Sequence, residues 1–157
     1  MSRLINALIV ALVAIFPVST GSARADDGPA PGAETCGKTL SPAMMAAWAG
    51  TDGRAGRLGC PVESEGDTAT SIKGSAARSA RFEGGEIVRH MSGPLAGKAF
   101  AVAACDRLYV QYGGVSGWLG LPTSDAINTP DGQRQKFEGG MLTLTRAFGE
   151  CEAEKPG

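Results

Sequence analysis

The sequence predicts an α+β fold in which two tandem repeats of short helix, glycine turn and β-hairpin pack as one small, disulfide-stapled domain. Three observations predict it. First, Gly117-Trp118-Leu119-Gly120-Leu121-Pro122 repeats the earlier Gly56-Arg57-Leu58-Gly59-Cys60-Pro61 at an offset of 61 residues, and each copy is followed by the same phrase, Phe82-Glu83-Gly84-Gly85 and then Phe137-Glu138-Gly139-Gly140. Self-similarity of this kind is the mark of a repeated supersecondary unit. Second, a unit of this size cannot bury its apolar face alone and must stack on a neighbour. Third, the 4 cysteines are spread along both copies, where cross-links can substitute for missing core area.

Residues 1–25 read as a targeting segment. Arg3 gives a positive start, Leu4 to Val18 is a short apolar run, and Ala23-Arg24-Ala25 has the small-x-small form of a signal cleavage site. The run is too short and too soon followed by Ser19, Thr20 and Ser22 for a membrane span, so no membrane insertion is expected after cleavage. Removal leaves 132 of the 157 residues and lowers the formal net charge from −1 to −3. With no Lys/Arg cluster, nucleic acid and anionic membranes are not expected partners.

Cys36, Cys60, Cys105 and Cys151 all fall in the exported part, an even count that reads as two disulfides. A zinc site is disfavoured, since no two cysteines are close and His90 is the only histidine. Neither a metal nor a cofactor is expected. Three pairings are possible. Cys36 with Cys60 and Cys105 with Cys151 is preferred because it ties each repeat internally, whereas Cys36–Cys151 would join the ends of the domain.

Residues 26–35, rich in Gly, Pro and Ala, read as a disordered leader. The domain runs from 36 to 151, with repeat one at about 41–91, repeat two at about 99–146, and a disordered tail at 152–157. Ser41-Pro42 is a helix start, with Met44, Ala47 and Trp48 on one face and Gly50 or Gly53 as the stop. Ala103 to Tyr112 is the counterpart, ended by Gly113-Gly114. In repeat two, Thr129-Pro130-Asp131-Gly132 is a turn, and Gln133 to Thr145 is one return strand in which Gly139-Gly140 marks a bulge or close approach. Ala80 to His90 is the return strand of repeat one, and Ala99 to Val102 a short strand. Pro61 to Phe82 spans 21 residues against 15 for Pro122 to Phe137. The six extra fall in Ser64–Ser79, a longer hairpin tip where insertions cost little.

Leu58-Gly59-Cys60-Pro61 and Leu119-Gly120-Leu121-Pro122, with the upstream Trp48 or Tyr109 and the downstream Phe-x-Gly-Gly, resemble the LGFP repeat family across roughly Ser41 to Arg146. The third position here is Cys60 and then Leu121, never Phe. The resemblance implies an exported, non-catalytic module that holds to cell-wall polysaccharide, with repeats in a propeller-like blade arrangement. Two free-standing copies are too few to close a ring unless the chain forms a homo-oligomer.

Positions that both copies share are explained by fold, with Leu58/Leu119 and Phe82/Phe137 as core and Trp48/Tyr109 on apolar helix faces. Positions that differ are freer to carry function. Trp118 stands where repeat one has Arg57, and an exposed Trp beside a glycine turn suits stacking on a sugar ring. The alternative is that it covers the neighbouring repeat. Tyr112 lies close by, and Asp125, Arg134 and Gln135 could supply hydrogen bonds. No catalytic residue is assigned. His90 could serve a Ser–His–Asp hydrolase with Ser92 or Ser124, but no Gly-x-Ser-x-Gly elbow exists, and Glu83 and Glu138 read as turn residues. The expected function is recognition of cell-envelope polysaccharide by a periplasmic, wall-associated or secreted protein. The second expectation is a protein-interaction module or inhibitor of an envelope enzyme, using the Ser64–Ser79 tip, and the third an envelope hydrolase.

Overall fold

Ser41 accepts a hydrogen bond from the Met44 N–H and Pro42 takes the first helical position, so helix α1 runs Pro42–Ala49 and stops at Gly50. The computed structural model describes residues 35–157. Residues 1–25, read as a targeting segment, and residues 26–34 of the expected leader lie outside the described residues. Thr35, read as leader, is instead buried, and its hydroxyl donates to the Lys38 carbonyl in the turn that presents Cys36.

After α1 come a 3-10 turn at Gly53–Ala55 and strands β1 (Gly66–Asp67), β2 (Ala77–Phe82), β3 (Gly85–His90) and β4 (Ala99–Val102). Repeat two follows the same order with α2 (Asp106–Gln111), a 3-10 turn at Gly114–Ser116, β5 (Ile127–Thr129), β6 (Gly132–Phe137), β7 (Gly140–Thr145) and β8 (Glu150–Glu154). Helix α2 is shorter than its sequence suggests, because Ala103 and Ala104 are needed to leave β4 and Cys105 is drawn into a disulfide.

The α+β class stands, but its finer form is corrected. Each repeat carries a four-stranded antiparallel sheet, ordered β1-β2-β3-β4 and β5-β6-β7-β8, rather than a hairpin. Both sheets are open, neither closing nor curling, so the expected propeller-like blade arrangement is not what forms. The expected single return strands are each two strands. Phe82 pairs with Gly85 and Phe137 with Gly140, which makes Glu83-Gly84 and Glu138-Gly139 two-residue turns and not bulges. The expected disordered tail is also corrected, since Glu152 to Glu154 lie in β8, laddered against β7 from Met141 to Thr145. Cys151 and Ala153 turn inward there and anchor the strand, despite its acidic composition.

The two signature phrases of each repeat form one clasp. Gly84 N–H donates to the Leu58 carbonyl at 2.9 Å and Gly139 N–H to Leu119 at 2.8 Å. In return the Cys60 N–H donates to Glu83 Oε2 at 3.1 Å and the Leu121 N–H to Glu138 Oε2 at 3.0 Å. Only glycine fits between. Gly59 and Gly120 both have φ +68°, and a Cβ there would stand 2.2 and 2.4 Å from those carboxylates. The upstream aromatic closes the clasp, as Trp48 Nε1–H donates to the Gly59 carbonyl at 2.9 Å and the Tyr109 hydroxyl to Gly120 at 2.8 Å.

Trp48 packs with Met44, Leu58, Phe82 and Ile87 in one core, and Tyr109 with Leu119, Phe137 and Leu142 in another. A third cluster of Ala77, Val88, Val115 and Leu121 joins the repeats. Disulfides Cys36–Cys60 and Cys105–Cys151 span 24 and 46 residues, in the preferred pairing.

Candidate functional site

The end of α2 and the glycine turn after it present two aromatic rings to the surface. Tyr112, at the helix cap, is 37% exposed, and its ring meets that of Trp118 edge-on with centroids 5.5 Å apart. Trp118 is half-buried. It leans on the second core and on Gly140, where a Cβ would come within 2.9 Å of the indole. Its indole N–H has no hydrogen-bond partner among the described residues, in contrast to that of Trp48. The ammonium of Lys155, from the chain end after β8, sits 5.4 Å above the ring centroid, a cation–π contact of roughly 0.5–1 kcal/mol at an exposed site. At the same repeat position Arg57 is exposed and donates to the Ala104 carbonyl at 3.4 Å.

Of the five residues singled out from sequence, the fold brings Tyr112 and Trp118 together. Asp125 is exposed and lines a different groove of about 390 Å³, floored by alanines of α1 and β4. Arg134 is exposed on β6. Gln135 is buried, and its amide donates to the carbonyls of Ala101 at 2.8 Å and Ser124 at 3.0 Å, holding the two sheets together. Period-two alternation already carried that signal, since Gln135 shares a strand face with the core residue Phe137. Lys155 was not anticipated, and the only hint was its place as the last cation of the chain.

His90 is buried at the repeat junction, where its Nε2–H donates to the Pro122 carbonyl at 2.7 Å and its ring meets Phe100 edge-on. Ser92 Oγ accepts from the Ala76 N–H and Ser124 Oγ donates to the Asp125 carbonyl. Thus His90 and both serines bond to backbone and not to one another. Glu138 serves the clasp and also accepts from Ser75 Oγ at 2.5 Å, which docks the long Ser64–Ser79 tip onto repeat two. Burial opposes its ionisation, but the bonds from the Leu121 N–H, Ser75 and Ser71 outweigh that and hold the carboxyl below its usual range.

Two other carboxylates face opposite ways. Glu65 is desolvated, yet bonds from the Ser41 N–H and Arg89 keep its pKa low. Glu86, 7% exposed on β3, is pushed up to about 7 by burial, with Asp106 adding to the shift and Arg81 opposing it. It borders a cleft of about 280 Å³ between sheet one and Val110–Ser116 of repeat two. Among the described residues no group of His, Cys, Asp or Glu is arranged to hold a metal ion, and no helix is long and apolar enough to cross a membrane.

No protein-family model matches the chain and no curated protein matches it, so the likeness to LGFP repeats rests on the residues quoted above.

Proposed function

We propose that the chain is an exported, non-catalytic binding module that takes a cell-envelope polysaccharide against Tyr112 and Trp118. The observation that carries this reading is the partly exposed aromatic pair, whose indole N–H has no hydrogen-bond partner among the described residues. A sugar presents an axial C–H face and a rim of hydroxyls. The pair offers apolar ring area for the first and a donor for the second. Tyr112 and Trp118 replace Thr51 and Arg57 of repeat one, so the aromatics are not required by the repeated fold. The LGFP-like phrases support the same ligand class. A second reading, a protein partner engaged by the long hairpin tip, draws on the exposed Ile72 at that tip.

Co-sedimentation with insoluble cell wall, before and after polysaccharide removal, tests the proposal. Trp118→Ala is expected to lower binding by roughly tenfold, a stacking contribution of about 1–1.5 kcal/mol, measured at a temperature where melting curves show the variant to be folded. Retained binding with a lowered melting temperature overturns the proposal and makes Trp118 a packing residue. Recovery of only a protein partner supports the second reading.

A further inference from the structure

Each sheet packs one face on its own repeat's helix, and the opposite faces have different fates. On sheet one, Val88 and Ala77 lie under Val115 and Leu121 of repeat two, His90 bonds Pro122, and Arg81 grips Asp106 at 3.2 Å. The register carries these positions directly onto sheet two, where nothing of the described chain takes the place of a following repeat. Val88 becomes Thr143, Phe100 becomes Glu152 and Val102 becomes Glu154. Ser79 and Arg81 become Arg134 and Lys136, and Glu86 becomes Met141.

The result is a striped face. Arg134, Thr143 and Glu152 form one cross-strand row, and Lys136, Met141 and Glu154 the other. All four charged residues are exposed. The basic stripe on β6 and the acidic stripe on β8 flank β7, ~10 Å apart at ordinary strand spacing. At the centre, Thr143 Oγ1 is buried without a hydrogen-bond partner.

We propose that this face is a self-association surface through which two copies of the chain meet about a two-fold axis lying over β7 and parallel to it. That axis places Arg134 and Lys136 of each copy over Glu152 and Glu154 of the other, row for row, with β7 of each copy at the centre. A two-fold axis running across the strands sets like charge on like. A head-to-tail arrangement copying the internal junction is also disfavoured. It sets Arg54 where Val115 makes the apolar contact and Met45 where Asp106 makes the ion pair. Three short strands cover less area than the 1,200–2,000 Å² of stable interfaces, so the dimer is weak and sensitive to salt.

Sedimentation velocity from about 10 µM to 1 mM, at roughly 20 mM and 500 mM salt, tests this. The expected result is association that grows with concentration at low salt and disappears at high salt. Arg134→Glu and Glu152→Arg are each expected to weaken it by roughly tenfold or more, because each puts like charges in register twice. An equimolar mixture of the two variants restores it, since every pair is then opposite in sign. Lys136→Glu with Glu154→Lys repeats the experiment on the second row, and melting curves establish that each variant is folded. A monomer throughout at low salt overturns the proposal, as does association that no charge reversal weakens or that the mixture does not restore.

Discussion

Glu86 shows how one residue sets the pH response of the protein. Burial raises its pKa from 4.5 to about 7 in the folded chain. Its contribution to stability is therefore complete below the unfolded value near 4.5 and is lost as pH rises through about 7, a change on the order of 3 kcal/mol. Glu65 and Glu138 act in the other direction, since their lowered pKa values contribute stability above 4.5 that is lost as pH falls below it. Stability should therefore peak near pH 4.5 and decline from there towards pH 7. Glu86→Gln should remove the decline on the neutral side while leaving the acid side unchanged, as denaturant melts across pH will show. At the clasp, Tyr109→Phe leaves the Gly120 carbonyl buried without its donor, and chemical denaturation should record a loss of about 1–3 kcal/mol.

At the level of elements, the clasp explains why the same two phrases recur. Leu-Gly-x-Pro and Phe-Glu-Gly-Gly are distant in sequence but adjacent in space, and each supplies the other's hydrogen-bond partners. Gly120→Ala forces a side chain into left-handed backbone and against the Glu138 carboxylate, so it should cost at least about 2 kcal/mol by thermal or denaturant unfolding. Gly59→Ala is expected to cost less, because Glu83 is exposed and free to swing aside. The clasp itself was not legible beforehand. A glycine pair inside an apolar-alternating run reads as a bulge or a close backbone approach. The approach is what forms, since a Cβ at Gly84 or Gly139 would strike the Arg57 or Trp118 carbonyl, but the two-residue turn was not foreseen. The fourth strands were equally hidden. β1 has only two residues, and the Glu-rich composition of β8 has low strand propensity.

The whole molecule is a duplicated chain whose halves have diverged where they meet. The duplication was legible because it recurs at a fixed offset and the Tyr112–Trp118 proximity because it lies within a short span, while the cysteine pairing followed from tying each repeat internally. The face that joins the repeats was not, since its residues alternate with core positions and acquire meaning only once the register is known. That joint makes the two cores interdependent, so unfolding should be a single cooperative transition by calorimetry. Val115→Ala should lower stability by roughly 2 kcal/mol, and Val115→Asp should separate the transition into two.

The disulfides pair in chain order, first with second and third with fourth. Were the chain exported as proposed, entering an oxidising compartment N-terminus first, Cys36 would meet Cys60 before either later cysteine had arrived. The only partners then left would be Cys105 and Cys151. Correct oxidation would thus follow from the order of emergence and place little demand on disulfide isomerases. Oxidation of the full-length reduced chain in denaturant removes that order, and all three pairings should then compete.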